Sequence, residues 1–93
     1  MIQTFKCKET ARLFEHGHSR RFPGSIIKSA IIRLAMLNRS GKLEDLKIPP
    51  SNHLEKLSGD REGDYSIRIN DKYRVCFAWW ENNAYDVEIV DYH

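Results

Sequence analysis

The sequence lacks any apolar run approaching the roughly 20 residues that are needed to span a bilayer. Its first residues, 1–6, also lack the basic start and the long apolar stretch of a secretory signal. Cysteine is scarce, because Cys7 and Cys76 are the only two, and their separation matches no zinc-binding spacing. We therefore expect a cytoplasmic protein with reduced thiols, no membrane partner, no metal and no cofactor.

Net charge is also small, +2 for 93 residues, so charge alone does not identify an anionic partner. Hydrophobic residues make up 41% of the chain and charged residues 30%, which is the balance of a globular protein rather than a disordered one. The length fits one domain, and we expect residues 1–93 to form a single one.

Helical patterns occupy the N-terminal half of the chain. Residues 8–16 predict a short helix that Gly17 ends. Residues 26–39 give the strongest helical signal, with apolar side chains recurring three and four residues apart. The apolar arc of this second helix is wider than one stripe, which is typical either of deep burial or of a surface shared with a partner. Residues 2–6 predict a first strand or an extended lead-in.

Strand patterns occupy the C-terminal half, after a connector at 43–52 whose two prolines prevent its centre from being helical. Leu54 and Leu57 fit a short strand. Three further stretches alternate apolar and polar residues: 65–70, 73–79 and 86–91. This order predicts an α+β fold in which two N-terminal helices cover one face of an antiparallel sheet of at least three strands.

The turn between the first two long strands decides which residues oppose each other. A three-residue loop at 70–72 keeps the apolar residues on one face and predicts three pairs: Ile69 with Tyr73, Ile67 with Val75, and Tyr65 with Phe77. On the other face it sets Arg68 directly opposite Arg74, which is destabilising unless something offsets the repulsion. A bound phosphate would do so, because a guanidinium matches it in shape and charge. The plainer alternative is that both side chains extend into water.

For the last hairpin we expect another odd loop, at residues 82–84. It predicts three pairs: Phe77 with Ile89, Trp79 with Val87, and Arg74 with Tyr92. Strict alternation then directs Asp91 and His93 to the other face, although strands often depart from it at chain ends.

Several motifs in a fixed order resemble one protein family. They are Ile2-Gln3-Thr4-Phe5-Lys6 at the start, Gly59-Asp60-Arg61-Glu62-Gly63, Tyr65-Ser66-Ile67-Arg68-Ile69-Asn70, Tyr73-Arg74-Val75-Cys76-Phe77, and Asp91-Tyr92-His93 at the end. Together they resemble the HigB family of toxins, which are relatives of RelE. The resemblance covers essentially the whole chain and is strongest from Pro49 to His93, whereas any one motif alone would be weak evidence.

The resemblance implies a RelE-like fold, a curved antiparallel sheet with helices packed on one side. It also implies a toxin of a type II toxin-antitoxin system that enters the A site of the 70S ribosome and cleaves mRNA there. The implied partner is a helix-turn-helix antitoxin of the HigA type. The residues that the family needs for cleavage, a strand arginine and the terminal Asp-Tyr-His, match Arg74, Asp91, Tyr92 and His93.

The chain departs from the family pattern at one position. Some members carry a functionally important histidine two residues before the leucine of a Leu-Lys-Gly segment, and the matching segment here is 54–59. Glu55 occupies the histidine position, Ser58 occupies the lysine position, and His53 lies two residues earlier. The candidate base is therefore Glu55, His53 or Asp91, and the sequence leaves the choice open.

Cleavage of RNA needs few protein groups, because RNA supplies its own nucleophile, the 2′-hydroxyl. The enzyme must take the proton from it, stabilise charge on the phosphorane and protonate the departing 5′ oxygen. Arg74 and Arg68 are candidates for charge stabilisation, and Lys56 is a weaker one. His93 or Tyr92 is a candidate for the acid, and Tyr92 is alternatively a platform on which an RNA base stacks. Further candidates for binding RNA are Arg68, Lys56, His53 and Trp80.

Two other functions are compatible with the sequence. A ParE-type toxin, which poisons gyrase, resembles RelE in fold without being a ribonuclease, and the terminal Asp-Tyr-His argues against it. A non-catalytic RNA-binding module would need Arg68 and Arg74 for affinity but not Tyr92 or His93. Removing the last three residues separates the nuclease from the binder, because only the nuclease would lose its activity.

Overall fold

The computed structural model describes residues 1–91 and shows two helices packed on a four-stranded antiparallel sheet. The helices are α1 (Lys8–His16) and α2 (Gly24–Arg39), and the strands are β1 (Glu55–Lys56), β2 (Asp64–Arg68), β3 (Tyr73–Trp80) and β4 (Asn83–Asp91). The strands follow one another across the sheet in chain order. The α+β prediction is confirmed. Within residues 1–91, no helix is long and apolar enough to cross a membrane.

Both helices end and pack largely as their residue patterns predict. α1 ends at Gly17, whose φ of 80° is left-handed and whose N–H donates to the Leu13 carbonyl at 2.9 Å. α2 begins at Gly24, directly after Pro23 and two residues before the predicted start. Its buried side chains are spaced three and four residues apart: Ile26, Ala30, Leu34 and Leu37. Ile32 is 45% exposed, so the chain's own sheet covers only part of the wide apolar arc.

The segments outside these elements are short. Residues 1–6 make two isolated parallel bridges to β4, so they form the extended lead-in rather than a full strand: Ile2 with Ala84 and Phe5 with Val87. The 43–52 connector contains two 3₁₀ turns, Leu43–Lys47 and Pro50–Asn52, and its centre between them is not helical. A third 3₁₀ turn, Gly59–Arg61, lies between β1 and β2.

The hairpin of β2 and β3 has the predicted three-residue loop at 70–72. Asn70 Oδ1 accepts hydrogen bonds from the amides of Lys72 and Tyr73, at 2.9 and 2.8 Å, and these bonds close the turn. The opposed pairs include Tyr65 with Phe77, Ile67 with Val75, and Arg68 with Arg74. The predicted register is therefore confirmed, including the two arginines that face each other.

The hairpin of β3 and β4 does not have the predicted loop. Its turn consists of Glu81 and Asn82, whose positive φ angles of 48° and 64° are typical of a two-residue type I′ turn. The register then shifts between Cys76 and Ala78 of β3, where a β-bulge gives β4 one extra residue. Asp86, on the facing part of β4, has a φ of 53°.

The bulge decides which residues of β3 and β4 oppose each other. The observed pairs next to the site are Tyr73 with Asp91, Arg74 with Val90, and Val75 with Ile89. Three predicted pairs are therefore wrong: Phe77 with Ile89, Trp79 with Val87, and Arg74 with Tyr92. Because the extra residue compensates for the two-residue turn, apolar residues of the two strands still share one face.

The helix-covered face of the sheet forms the core. Its buried side chains are Ile67, Ile69, Val75, Phe77, Val87 and Ile89, and they join Leu13 and the buried stripe of α2 in one cluster. The Phe77 ring lies 6.2 Å from the rings of both Tyr65 and Trp79, measured between centroids. Burying a side chain of this size contributes about 1.5–3 kcal/mol. This packing holds β2 and β3 in place and so fixes the residues on their other face.

Candidate active site

The sheet face that points away from the helices is polar but largely covered. By strand alternation it carries a set of residues that we call the polar face: Glu55, Ser66, Arg68, Arg74, Cys76 and Glu88. Arg61, from the Gly59–Arg61 turn, forms an ion pair with Glu88. Ser66 and Cys76 are fully buried, and Arg74 is 8% exposed. The polar face is therefore a partly enclosed site and not a solvated surface.

Arg74 makes the most polar contacts on this face. Its Nε donates to Ser66 Oγ at 2.8 Å, and its Nη2 donates to the main-chain carbonyl of His53. Its Nη1 lies 3.8 Å from Oε1 of Glu55, which is beyond hydrogen-bond distance. The guanidinium is thus held at two nitrogens, while the third faces a half-exposed carboxylate. Such a pair can bind a phosphate, stabilise negative charge on it and accept a proton beside it.

Arg68 lies opposite Arg74 but contacts the hairpin loop, where it forms an ion pair with Asp71. Its main-chain carbonyl accepts a hydrogen bond from Arg33 Nε at 3.0 Å. The repulsion between the two arginines is therefore offset by carboxylates, Asp71 beside Arg68 and Glu55 beside Arg74. The sequence analysis predicts that a bound phosphate or water offsets this repulsion. It does not predict the ion pair with Asp71.

His53 and Lys56 differ in how they relate to Arg74. The His53 side chain is exposed, and the contact with Arg74 is made by its main-chain carbonyl. His53 ends the Pro50–Asn52 turn in a left-handed conformation, with φ 44° and ψ 56°. Lys56 pairs with Tyr65, which belongs to the helix-covered side of the strand, so alternation separates Lys56 from Arg74.

Trp80 shares the polar side of β3 but lies at the other end of the strand. Its side chain is 67% exposed. Positions 74 and 80 are about 20 Å apart along the strand, at roughly 3.3 Å per residue. The structure therefore does not bring Trp80 to the arginine.

Asp91 lies on the opposite side of the sheet from Arg74, as strict alternation predicts. It pairs with Tyr73, the residue before Arg74 in β3. With Asp91, the residues that line a cavity of about 220 Å³ are Arg21, Phe22, Tyr73 and Ile89. Tyr92 and His93 lie outside the described residues, and their roles stay predictions.

Cys76 is an unreactive neighbour of this site. Burial raises the pKa of its thiol to about 11, although the positive charge of Arg61 acts in the opposite direction. The thiol is therefore protonated at neutral pH and is no nucleophile. The hydrogen bond to Glu88 raises the pKa of Arg61, so the guanidinium keeps its charge.

Sequence reasoning missed two features of the polar face. Ser66 holds Arg74, and the available signal was a serine inside a strand, on the same side as the arginine. The ion pair of Arg61 and Glu88 joins residues 27 positions apart and had no local signal.

One family of proteins matches almost the whole chain. Residues 3–93 match the model of the HigB-like toxins, described as the RelE-like toxin of the type II toxin-antitoxin system HigB. The match includes every residue of the polar face.

Individual proteins are similar over comparable lengths. The chain is 38% identical over 85 residues to Toxin HigB-1 of Vibrio cholerae, which covers 90% of each chain. It is 31% identical over 93 residues to Endoribonuclease HigB of Proteus vulgaris, which covers both chains completely. A solved structure of a YafQ mutant from E. coli has a TM-score of 0.66 at 10% identity, covering 98% of this chain and 91% of that one. At that identity, the likeness is one of fold.

Proposed function

The chain belongs to the HigB-like family of RelE-like toxins of type II toxin-antitoxin systems, and from this premise we propose that it is an endoribonuclease that cleaves mRNA in the ribosomal A site. The family prediction made from the motifs is confirmed. Membership implies an antitoxin as partner. The Proteus vulgaris relative, named an endoribonuclease, supports ribonucleolytic activity in this chain.

The single observation that carries the proposal is the state of Arg74, which is buried, hydrogen-bonded at two nitrogens, and in only a longer contact with Glu55 at the third. Desolvating a guanidinium is expensive unless its charge is matched. Its Nη1 edge faces Glu55 across a gap too long for a hydrogen bond. A non-bridging oxygen of a phosphodiester fits such an edge in both charge and geometry.

The proposed reaction uses the 2′-hydroxyl of the message as nucleophile. The 2′ oxygen forms a bond to the adjacent phosphorus, and the bond from that phosphorus to the 5′ oxygen breaks. One product ends in a 2′,3′-cyclic phosphate and the other begins with a 5′-hydroxyl. Arg74 stabilises the negative charge that develops on the phosphorane, in a site where burial strengthens that interaction.

Glu55 is the base that the geometry favours among the three candidates. Its carboxylate lies beside Nη1 of Arg74, where the phosphate is proposed to bind. His53 contacts Arg74 through its carbonyl, and Asp91 pairs on the other side of the sheet. The proton for the 5′ oxygen is assigned to His93, or to Tyr92, as the family resemblance implies.

The remaining assignments extend the proposal to partners and place of action. The antitoxin is a helix-turn-helix protein, and the site of action is the 70S ribosome in the cytoplasm. Arg68, at the edge of the polar face and one third exposed, binds the message beside the cleaved phosphate. Lys56 and Trp80 are exposed and contact RNA away from Arg74.

The test is cleavage of a defined message by the purified full-length chain, mapped by primer extension with and without 70S ribosomes. We expect ribosome-dependent cuts from the wild type, and rates about 100- to 1000-fold lower for Arg74→Ala. A chain that lacks residues 91–93 should also lose its cuts. Arg12→Ala is the matched control, because it removes the same charge from a side chain on α1 that is 54% exposed.

The outcomes separate the three functions. Absence of cuts under every condition, with translation unaffected, contradicts the proposal and favours a gyrase poison or a binding module. Retained RNA affinity without cuts would identify the binding module. Cleavage by Arg74→Ala at the wild-type rate would remove Arg74 from the mechanism.

A further inference from the structure

The N–H donors of the Arg74 guanidinium differ in their partners. Nε and Nη2 are hydrogen-bonded within the described part of the chain, whereas Nη1 is not. A guanidinium offers five N–H donors in one rigid plane. The Nε donor is taken by Ser66 Oγ, and the Nη2 group is taken by the carbonyls of His53 and, at 3.5 Å, Ser66. Within residues 1–91, the contact of Nη1 is the longer one to Glu55. Two bonded nitrogens fix the plane, so the direction in which Nη1 points is fixed as well.

Ser66 is well suited to hold this plane. It lies within β2, is fully buried, and sits between Glu55 of β1 and Cys76 of β3 in the register of the sheet. A hydroxyl on a central strand has little freedom to move, because the core behind β2 packs tightly. The bond from Arg74 Nε, 2.8 Å long, is therefore anchored on a buried hydroxyl within the sheet.

The second anchor is a main-chain atom of the connector. His53 presents its carbonyl to Nη2 from a left-handed conformation, which is uncommon for residues other than glycine. Asn52, which is fully buried, helps to hold the connector in place, because its Nδ2 donates to the Leu46 carbonyl at 3.0 Å. The anchor is thus set by the packing of the connector and not by the imidazole.

We propose that Ser66 is a positioning residue: with the His53 carbonyl, it holds Arg74 so that the Nη1 edge faces the scissile phosphate. This inference rests on the proposed ribonuclease function. It adds Ser66 as the residue that orients Arg74, the group that stabilises charge on the phosphorane. A guanidinium without the Nε anchor rotates about its last bonds and presents Nη1 in several directions. Misplacement by about 1 Å is enough to lower a catalysed rate about 100-fold.

The kinetic test compares Ser66→Ala with Ser66→Thr, which keeps the hydroxyl. On ribosome-bound message, Ser66→Ala should lower the single-turnover cleavage rate about 10- to 100-fold, while the protein concentration that gives half the maximal rate stays unchanged. Ser66→Thr should retain most of the wild-type rate. The same Ser66→Ala change in an Arg74→Ala background should lower the rate no further. A wild-type rate for Ser66→Ala, or an equal loss in both backgrounds, would overturn the proposal.

A second measurement does not depend on cleavage. Hydrogen exchange of the Arg74 Nε–H, followed by NMR on the full chain, should be slow in the wild type and in Ser66→Thr, and fast in Ser66→Ala. The exposed Arg12 provides the fast reference. If Arg74 exchanges as fast as Arg12 in the wild type, the positioning role is overturned. If exchange depends on Ser66 but the wild type never cuts RNA, the proposed function fails while the positioning of Arg74 stands.

Discussion

The two faces of the sheet are built on the same strands but held by different forces. On the helix-covered face, Val75 and Phe77 are at most 1% exposed and pack in one apolar cluster with the helices. On the polar face, Ser66, Arg74 and Cys76 are almost as deeply buried. There, however, the contacts are hydrogen bonds and ion pairs with particular distances and directions.

This difference predicts what each face tolerates. Apolar packing has no preferred direction, so a substitution in the core acts mainly through lost volume and lost burial. A buried guanidinium needs acceptors at fixed positions, and a lost acceptor leaves charge unmatched. We therefore expect changes on the helix-covered face to lower stability first, and changes on the polar face to lower cleavage first.

The largest effect on stability should come from Phe77. Phe77→Ala removes a ring that is 1% exposed and in contact with the rings of Tyr65 and Trp79. The free energy of unfolding should fall by about 3–5 kcal/mol, measured by urea denaturation followed by circular dichroism. Since small domains are stable by only about 5–15 kcal/mol, this one change should bring the protein close to unfolding.

Trp80→Ala is the control for Phe77→Ala, because it also removes a large aromatic side chain from β3. Trp80 is 67% exposed, so its loss should change the free energy of unfolding by about 0.5 kcal/mol or less. Similar losses in the two variants would contradict the view that burial against the helices holds this strand.

The helix-covered face could be predicted from the sequence because its signals are local and repeated. Alternation in 65–70 and 73–79, together with the requirement that apolar residues share a face, predicts the correct loop and register of the β2–β3 hairpin. The same alternation predicts the wrong pairs for β3 and β4. A bulge there adds one residue to β4, next to Asp86, which is in a left-handed conformation. A single irregular residue does not change the alternation of the sequence, so the pattern does not predict it.

The polar face could be predicted only in part. Strand parity predicts that Arg68 faces Arg74, which the register confirms. The family resemblance names Arg74 and Glu55 as site candidates, and their roles stay predictions. The partners that hold Arg74 could not be identified in this way, because one is a main-chain carbonyl, that of His53, and side-chain patterns do not report it. Glu88 pairs with Arg61 across the face, and only the folded topology brings the two together.

The ion pair of Arg61 and Glu88 tests whether the polar face contributes to stability as well. Its side chains are 31% and 14% exposed, so the pair is only partly screened by water. Glu88→Ala should lower the free energy of unfolding by about 1–3 kcal/mol, because it leaves the Arg61 hydrogen bond unmade. In a double-mutant cycle with Arg61→Ala, the double variant should be little less stable than either single one. Additive losses would show that the two side chains act separately.

Alkaline pH should weaken the polar face through Cys76. Its pKa is raised from 9.0 to about 11 in the folded protein by burial, so the folded state keeps the proton over a range in which the unfolded state loses it. The associated stability is complete below about pH 9 and is lost as the pH rises from about 9 to about 11. By pH 10 the loss is on the order of 1 kcal/mol.

Cys76→Ala isolates this contribution from the other groups that titrate in the same range. Urea denaturation at pH 8 and at pH 10 should show a larger fall for the wild type than for Cys76→Ala. An equal fall in both proteins would mean that the folded thiol titrates like an exposed one.

The smallest effect should come from the side chain of His53. Because the imidazole is exposed and the carbonyl makes the contact with Arg74, His53→Asn should leave both the cleavage rate and the melting temperature close to those of the wild type. Asparagine is chosen because it tolerates the left-handed conformation that this position requires. Primer extension and a thermal melt measure the two quantities.

His53→Val is the complementary change, because it removes the same imidazole but adds a β-branched side chain that resists a φ of 44°. If the carbonyl is what matters, His53→Val should lower both the melting temperature and the cleavage rate, while His53→Asn lowers neither. If both variants lose cleavage at an unchanged melting temperature, the imidazole itself takes part in the reaction. In that case a side-chain motif would have been the correct guide to this position, and the polar face would depend less on main-chain geometry than the contacts of Arg74 indicate.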